Sequence, residues 1–251
     1  MPDNDRLLGL RAIVTGANEG IGEAIARLFA QQQAEVLAVD LPESGIESTF
    51  RSVNGITGFG CDVTGDEAPA TIMGVAKELL GGLDILVNNA GVCVRASVEE
   101  TTDEDWARSF EVNVTAMFRL CRAALPLLKI SPAGRIINVG SVMSSFGAPG
   151  RAAYSSSKHA VAGLTKTIAS EWGVNGIAAN CIFPGAIMTG MTRDVFRTDK
   201  DYRDYWINKS AARRLGEPLD VARVALFLAS DDAVFVSGQG IAVDGGAVQS
   251  I

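Results

Sequence analysis

Histidine is almost missing from this chain: His159 is the only one in 251 residues. The four cysteines, Cys61, Cys93, Cys121 and Cys181, form no C-x-x-C pair. A zinc site of the usual Cys/His composition is therefore not expected, and no metal is assigned. Free thiols in a reducing compartment are expected instead, which points to the cytoplasm. Positive charge is also scarce, with 22 Lys and Arg against 29 Asp and Glu, a net of −7. The basic footprint that nucleic-acid binding needs is absent, and an anionic membrane surface is a poor partner for such a chain. No run of about 18 uncharged apolar residues is present, so no membrane-spanning helix is expected. The opening MPDNDRLLGLR lacks the basic segment and apolar run of a secretory leader. Repeats, low-complexity tracts and Pro/Gly-rich linkers are missing too, which leaves one domain over residues 1–251.

What is present is a regular alternation of short apolar runs and helical patterns. Strands are expected at Leu10–Thr15, Glu35–Asp40, Gly55–Cys61, Leu83–Asn88, Arg135–Val139, Gly176–Phe183 and Gly240–Val243. Between them, Ile21, Ile25, Leu28 and Phe29 share one helical face. Further helices are expected near Glu67–Leu80, over Asp103–Glu111 and Val114–Leu128, over Ala152–Trp172 and over Leu219–Ala229. Continuously apolar strands alternating with helices predict an α/β, doubly wound parallel sheet with helices on both faces. The stretch Pro184–Arg214 is weakly periodic and mixed in charge, and reads as a long functional loop.

The first strand runs into Thr15-Gly16-Ala17-Asn18-Glu19-Gly20-Ile21-Gly22. Glycines at this spacing permit a tight turn, let backbone approach a diphosphate, and start a helix whose N–H groups point at the anion. The second strand ends at Asp40, placed to accept hydrogen bonds from adenosine ribose hydroxyls and to repel an added 2′-phosphate. Glu19 and the lack of Arg or Lys in the loop leave such a phosphate no cation. NAD is therefore preferred over NADP. Asp62-Val63 and Asn89-Ala90-Gly91 follow the third and fourth strands, at the carboxyl edge where open α/β sheets bind ligands.

Tyr154 and Lys158 lie four residues apart, on one face of an expected helix. A tyrosine with a pKa near 10 is a poor base at neutral pH, and a nearby ammonium lowers an acid's pKa by roughly 1–3 units. Ser141 stands just past the fifth strand, where its hydroxyl can reach the carbonyl oxygen that Tyr154 protonates. Asn113 lies inside a helical stretch, a poor place for asparagine unless its side chain bonds locally or holds water.

Taken together these residues resemble the short-chain dehydrogenase/reductase family, over nearly the whole chain. The resemblance rests on the TGANEGIG loop, Asp62, the NNAG stretch, Asn113, Ser141, the YSSSK pair, Pro184-Gly185 and the closing Asp244-Gly245-Gly246. It implies a nicotinamide cofactor and reversible alcohol–carbonyl chemistry on a small-molecule substrate. By similarity Tyr154 is the acid/base, and Ser141 orients the substrate oxygen. Lys158 holds the nicotinamide ribose and lowers the tyrosine pKa, and Asn113 positions a water in a proton relay. Ile187 and Thr189 match positions that contact the carboxamide. Residues 185–214 match the variable substrate lid. Phe183 departs from the pattern, because a small residue is common there. A homotetramer is implied as well, and the apolar surplus of segments 103–128 and 152–172 agrees with it.

Other residues are read more plainly. His159 points away from the Tyr154 face, Cys93 is an apolar wall rather than a reactive thiol, and Arg95 and Arg151 are solvated cations that an acidic substrate could meet. The leading activity is an NAD-dependent dehydrogenase for a polyol, sugar or hydroxylated ring. The alternatives are an NADPH-dependent 3-oxoacyl-type reductase, opposed by Asp40 and Glu19, and a non-catalytic dinucleotide sensor, opposed by the intact Asn113, Ser141, Tyr154 and Lys158.

Overall fold

In the computed structural model, residues 5–248 are described. Seven strands form one parallel sheet: β1 (Arg11–Thr15), β2 (Glu35–Asp40), β3 (Ile56–Gly60), β4 (Ile85–Asn88), β5 (Arg135–Val139), β6 (Ala178–Pro184) and β7 (Gly240–Val243). Their spatial order is β3-β2-β1-β4-β5-β6-β7. The order reverses between β1 and β4, which opens a crevice at the carboxyl edge.

Alternation along each strand fills both faces. From β1, Ala12 and Val14 face one core while Ile13 faces the other; from β4, Ile85 and Val87 oppose Leu86 in the same way. The first core is closed by α1 (Gly20–Gln31) and α9 (Pro218–Ala229), through Ile25, Phe29, Val221 and Ala225. The second is closed by α3 (Ala68–Leu79), α5 (Ala116–Leu128) and α6 (Ala152–Trp172), through Ile72, Leu120, Ala124 and Val161. A short α2 (Ile46–Phe50), not foreseen in the sequence, seals the β2–β3 crossover with Ile46 and Phe50.

Two expected helices are one interrupted rod. α4 (Asp103–Phe110) starts at Thr102, whose hydroxyl accepts from Asp105 N at 3.1 Å. Three acids in its first turn suit the helix dipole. The rod then passes through a π-helical turn, Glu111–Thr115, into α5. Asn113 occupies that turn, and π-turns of this kind are frequent at functional sites.

The 185–214 stretch differs from the expected loop. It holds α7 (Gly190–Thr198) and α8 (Lys200–Lys209). Thr189 and Thr192 form a capping box at the first, and Asp199 caps the second by accepting from Tyr202 N at 2.9 Å. Phe196 and Trp206 anchor both helices against Met143 in a third, smaller core. Among the described residues, no helix is long and apolar enough to cross a membrane.

Candidate active site

A cavity of about 740 Å³ runs along the carboxyl edge of the sheet at the β1/β4 switch point. One end is the glycine loop. Gly16 and Gly20 both sit at φ +63°, a region that favours glycine. Gly22 is needed for space: a Cβ there would fall 2.1 Å from Gly16 O. Asn89 holds the same loop from the β4 side, donating from Nδ2 to Gly16 O at 2.8 Å and to Thr15 O at 3.0 Å. α1 begins without a side-chain cap. Its first N–H groups, at Gly20 and Ile21, therefore face the cavity available to an anion.

Asp40 lies on the rim of this end. Its carboxylate accepts from Asn18 N at 2.9 Å and from Leu41 N at 2.8 Å. Asn18 spends its own side chain on the adjoining segment, donating to Ser44 O and accepting from Thr49 Oγ1. Glu19 turns the other way, its carboxylate against Gly190 at the start of α7. Asp62 folds back on Thr64, accepting from both its N–H and its hydroxyl, while Val63 is a buried part of the wall. These features fit a dinucleotide: a backbone cradle that tolerates no Cβ, an uncapped helix start, and a carboxylate fixed at the end of β2.

The other end carries the chemistry. Ser141, Tyr154 and Lys158 line the cavity together with Pro184, Gly185, Ile187 and Thr189. Ser141 is set by a short capping box: its Oγ accepts from Met143 N, and its N–H donates to Ser144 Oγ. Ser144 in turn donates to Lys158 O at 2.7 Å, tying the loop after β5 to α6 beside the Tyr154–Lys158 face. Lys158 is buried, and its Nζ donates to Val139 O at 2.8 Å. Burial pulls its pKa down to about 8.

The expectation that Lys158 draws the phenol toward neutrality is not met here. Burial pushes Tyr154 up to about 12, against the pull of a Ser141 hydrogen bond and the charge of Arg151. The Lys158 ammonium lies 5.7 Å from the ring centroid and is turned to Val139. Tyr154 is thus a protonated acid at neutral pH in this arrangement.

Two assigned residues stand behind the cavity rather than on it. Gly22 is packed under the loop, and Asn113 is fully buried. Asn113 Oδ1 accepts from Val92 N at 2.8 Å, and Nδ2 donates to Val92 O and to Ser157 Oγ, each at 3.0 Å. With both amide protons used, its side chain pins the Gly91–Val92 backbone to α6 rather than presenting a free group to water. Ser157, fully buried, closes this link by donating to Tyr154 O at 2.8 Å. Ser144 and Ser157 were not singled out from the sequence; both lie within or beside the motifs that were. Arg108, Glu111 and Val112, at i, i+3 and i+4 on the α4–π face, also line the cavity, and helical spacing was their only signal.

Phe183 does not narrow the cavity. Its ring fills the space over Gly140 and Gly240, neither of which has room for a Cβ beside it. His159 faces outward and is bonded to Ser155 O. Cys93 is not part of the cavity wall, and no cluster of three or more metal-ligating side chains occurs among the described residues.

A family model described as enoyl-(acyl carrier protein) reductase matches residues 16–248. The 3-oxoacyl-[acyl-carrier-protein] reductase of Vibrio cholerae serotype O1 is 38% identical over 242 residues, covering 96% of this chain and 98% of that one. Gluconate 5-dehydrogenase of Gluconobacter oxydans is 35% identical over 257 residues, covering 100% and 99%. The human dehydrogenase/reductase SDR family member 4 is 34% identical over 98% of this chain. Among solved structures, a Sinorhizobium meliloti protein assigned as a short-chain alcohol dehydrogenase superposes with a TM-score of 0.92 at 34% identity, over all of both chains. With glycine cradle, Ser141, Tyr154 and Lys158 on one cavity and full-length relatives of this kind, the chain belongs to the short-chain dehydrogenase/reductase family of oxidoreductases.

Proposed function

We propose that the protein is an NAD-dependent oxidoreductase that interconverts a secondary alcohol, such as a polyol, sugar or hydroxylated ring, and its ketone. The observation that carries this reading is the shared cavity, with Asp40 and the glycine loop at one end and Ser141, Tyr154 and Lys158 at the other. The diphosphate would lie on Gly16, Gly20 and the start of α1, the adenosine ribose on Asp40, and the nicotinamide half by Asn89, Gly91, Pro184, Gly185, Ile187 and Thr189. When bound, the nicotinamide accepts or supplies the hydride. Tyr154 moves the proton at its phenolic oxygen: it gives it to the carbonyl oxygen in reduction and takes it from the hydroxyl in oxidation. Ser141 donates to that same oxygen and orients it. Lys158 remains mostly an ammonium at neutral pH and favours negative charge on a substrate-side oxygen. Asn113 positions the Gly91–Val92 loop after β4 against α6. The segment 185–214 covers the substrate side as a lid.

The 3-oxoacyl reductase reading is favoured by the name of the Vibrio cholerae relative. It requires NADPH, and the fixed Asp40 carboxylate on the rim speaks against that. Initial rates with NAD and NADP against a panel of secondary alcohols, and with NADH and NADPH against 3-oxoacyl thioesters, separate the two. Exposed Trp106 on α4 and Phe118 on α5 support a homotetramer through that face; a single-chain mass of 26.3 kDa by light scattering would rule it out. The four free thiols suit a cytoplasmic setting.

A further inference from the structure

Two arginines beside the chemical end of the cavity converge on one ring. Arg95, on the loop after β4, holds its guanidinium carbon 5.9 Å from the centroid of Tyr202. Arg151, the residue that opens α6, brings Nη2 to 3.5 Å from the Tyr202 hydroxyl and uses Nη1 on Gly150 O. Half of the arginines find carboxylates, as Arg11 does with Asp84 and Arg214 with Asp220. Among the described residues neither Arg95 nor Arg151 is in an ion pair, although acids outnumber bases in the chain. Two like charges gathered on one phenol repel each other unless an anion joins them.

The ring between them is rigidly placed. Tyr202 stacks on Phe196 at 5.7 Å and meets Trp206 edge-on at 6.3 Å. Tyr154 packs on the same cluster, and the charge of Arg151 is felt at its phenol. A cavity of about 520 Å³ opens alongside, with Arg151, Tyr202, Trp206 and Lys209 in its wall and no carboxylate among the described residues. Arg151 is the N-cap of α6, three residues before Tyr154.

We propose that Arg95 and Arg151 grip the carboxylate of a short hydroxy-acid or oxo-acid substrate over Tyr202, with its reacting carbon at Tyr154 and Ser141. The guanidinium fork suits a carboxylate through paired N–H donors, and because Tyr202 and Tyr154 pack on one cluster, an acid that spans them is small rather than a long acyl chain. The proposal rests on the oxidoreductase reading for its chemistry, while its anion site stands on the arginines alone.

The test is a calorimetric titration of glutarate and of neutral glutaramide into the wild type, Arg95→Ala, Arg151→Ala and Arg151→Lys at one ionic strength. Glutarate should bind the wild type at least about tenfold more tightly than glutaramide, and both alanine variants should lose that margin. Arg151→Lys, which keeps the charge without the fork, should fall between. In parallel, the ratio of kcat/KM for hydroxy acids over neutral alcohols of equal length should drop by on the order of a hundredfold in each alanine variant. Equal binding of glutarate and glutaramide to the wild type overturns the proposal. So does a loss of activity in the variants that is the same for acids and neutral alcohols. If no alcohol or ketone turns over with either dinucleotide, the proposed activity fails, while the glutarate titration still decides the anion site.

Discussion

Replacing Asp40 with alanine should erase most of the proposed preference for NAD. The carboxylate is held by two backbone donors, Asn18 N at 2.9 Å and Leu41 N at 2.8 Å, so a 2′-phosphate cannot swing it aside. At a separation of about 4 Å and an effective dielectric near 20, two unit charges repel by about 4 kcal/mol. At about 1.4 kcal/mol per tenfold, that corresponds to roughly a thousandfold in affinity. The rim is open and salt screens it, so the wild-type preference expected in kcat/KM is about a hundredfold. In Asp40→Ala, NADP gains by the lost repulsion. NAD loses the charge-assisted hydrogen bonds to its ribose, about tenfold, and the two cofactors end within about tenfold of each other. Adding Leu41→Arg should favour NADP further, because a guanidinium pairs with the phosphate. The assay is kcat/KM with both cofactors at one ionic strength, backed by NADH and NADPH fluorescence titrations. A wild type that uses NADP as well as NAD would refute the reasoning, as would an unchanged ratio in Asp40→Ala. Either would mean that this carboxylate does not face the ribose.

Tyr154→Phe keeps the ring packed on the Phe196–Trp206 cluster but removes the proton donor; kcat should fall by about 10²–10⁴-fold, with the NADH dissociation constant changed less than about threefold. Gly22→Ala places a methyl group against Gly16 O; overpacking of this kind costs about 1–3 kcal/mol, visible as a lower Tm together with a weakened NADH titration. Lys158 has its pKa lowered from 10.5 to about 8 in the fold. Between those values the unfolded chain binds more protons than the native one, so this group's contribution to stability rises with pH. Denaturant unfolding of the wild type relative to Lys158→Met should therefore shift in favour of the wild type by about 2 kcal/mol between pH 8 and pH 10; a flat difference would show that the ammonium is not buried.

Much of the fold was legible because its strands are continuously apolar and bounded by polar turns. β2, β5, β7 and α6 have the bounds read from periodicity alone, and other ends moved by one or two residues where helices and strands fray. The helices of the 185–214 segment were not legible for a physical reason. α7 and α8 each bury a single side chain, Phe196 and Trp206, and each is too short for an apolar repeat to mark it as a helix. Their caps were in the sequence, Thr189 with Thr192 and Asp199 before Tyr202, but capping residues are equally common in loops. α2 failed for a similar reason: one turn and a half gives a 3.6-residue period no room to show.

At the site, residues whose backbone conformation or position is dictated by local sequence were legible, and those that act through distant partners were not. The glycine loop, Asp40 and the Tyr154–Lys158 pair needed only spacing. The electrostatic state of that pair depends on burial by α7, α8 and β5, which spacing does not report; hence a phenol pushed up to about 12 where a lowered one was expected. The two readings are joined by what filling the cavity must do. Tyr154 is a good acid in its present surroundings and becomes a usable base only if positive charge or hydrogen-bond donors move closer to its oxygen. Lys158 has the charge, but its Nζ is on Val139 O. A ligand that competes for that ammonium, or an anion that pairs with Arg151, takes positive charge away from the phenol, and both keep it protonated. The pH profile of alcohol oxidation, compared between a hydroxy acid and a neutral alcohol, therefore reports the arginines at the same oxygen where the proton moves. A lower limiting pKa with the acid than with the neutral alcohol would contradict this coupling.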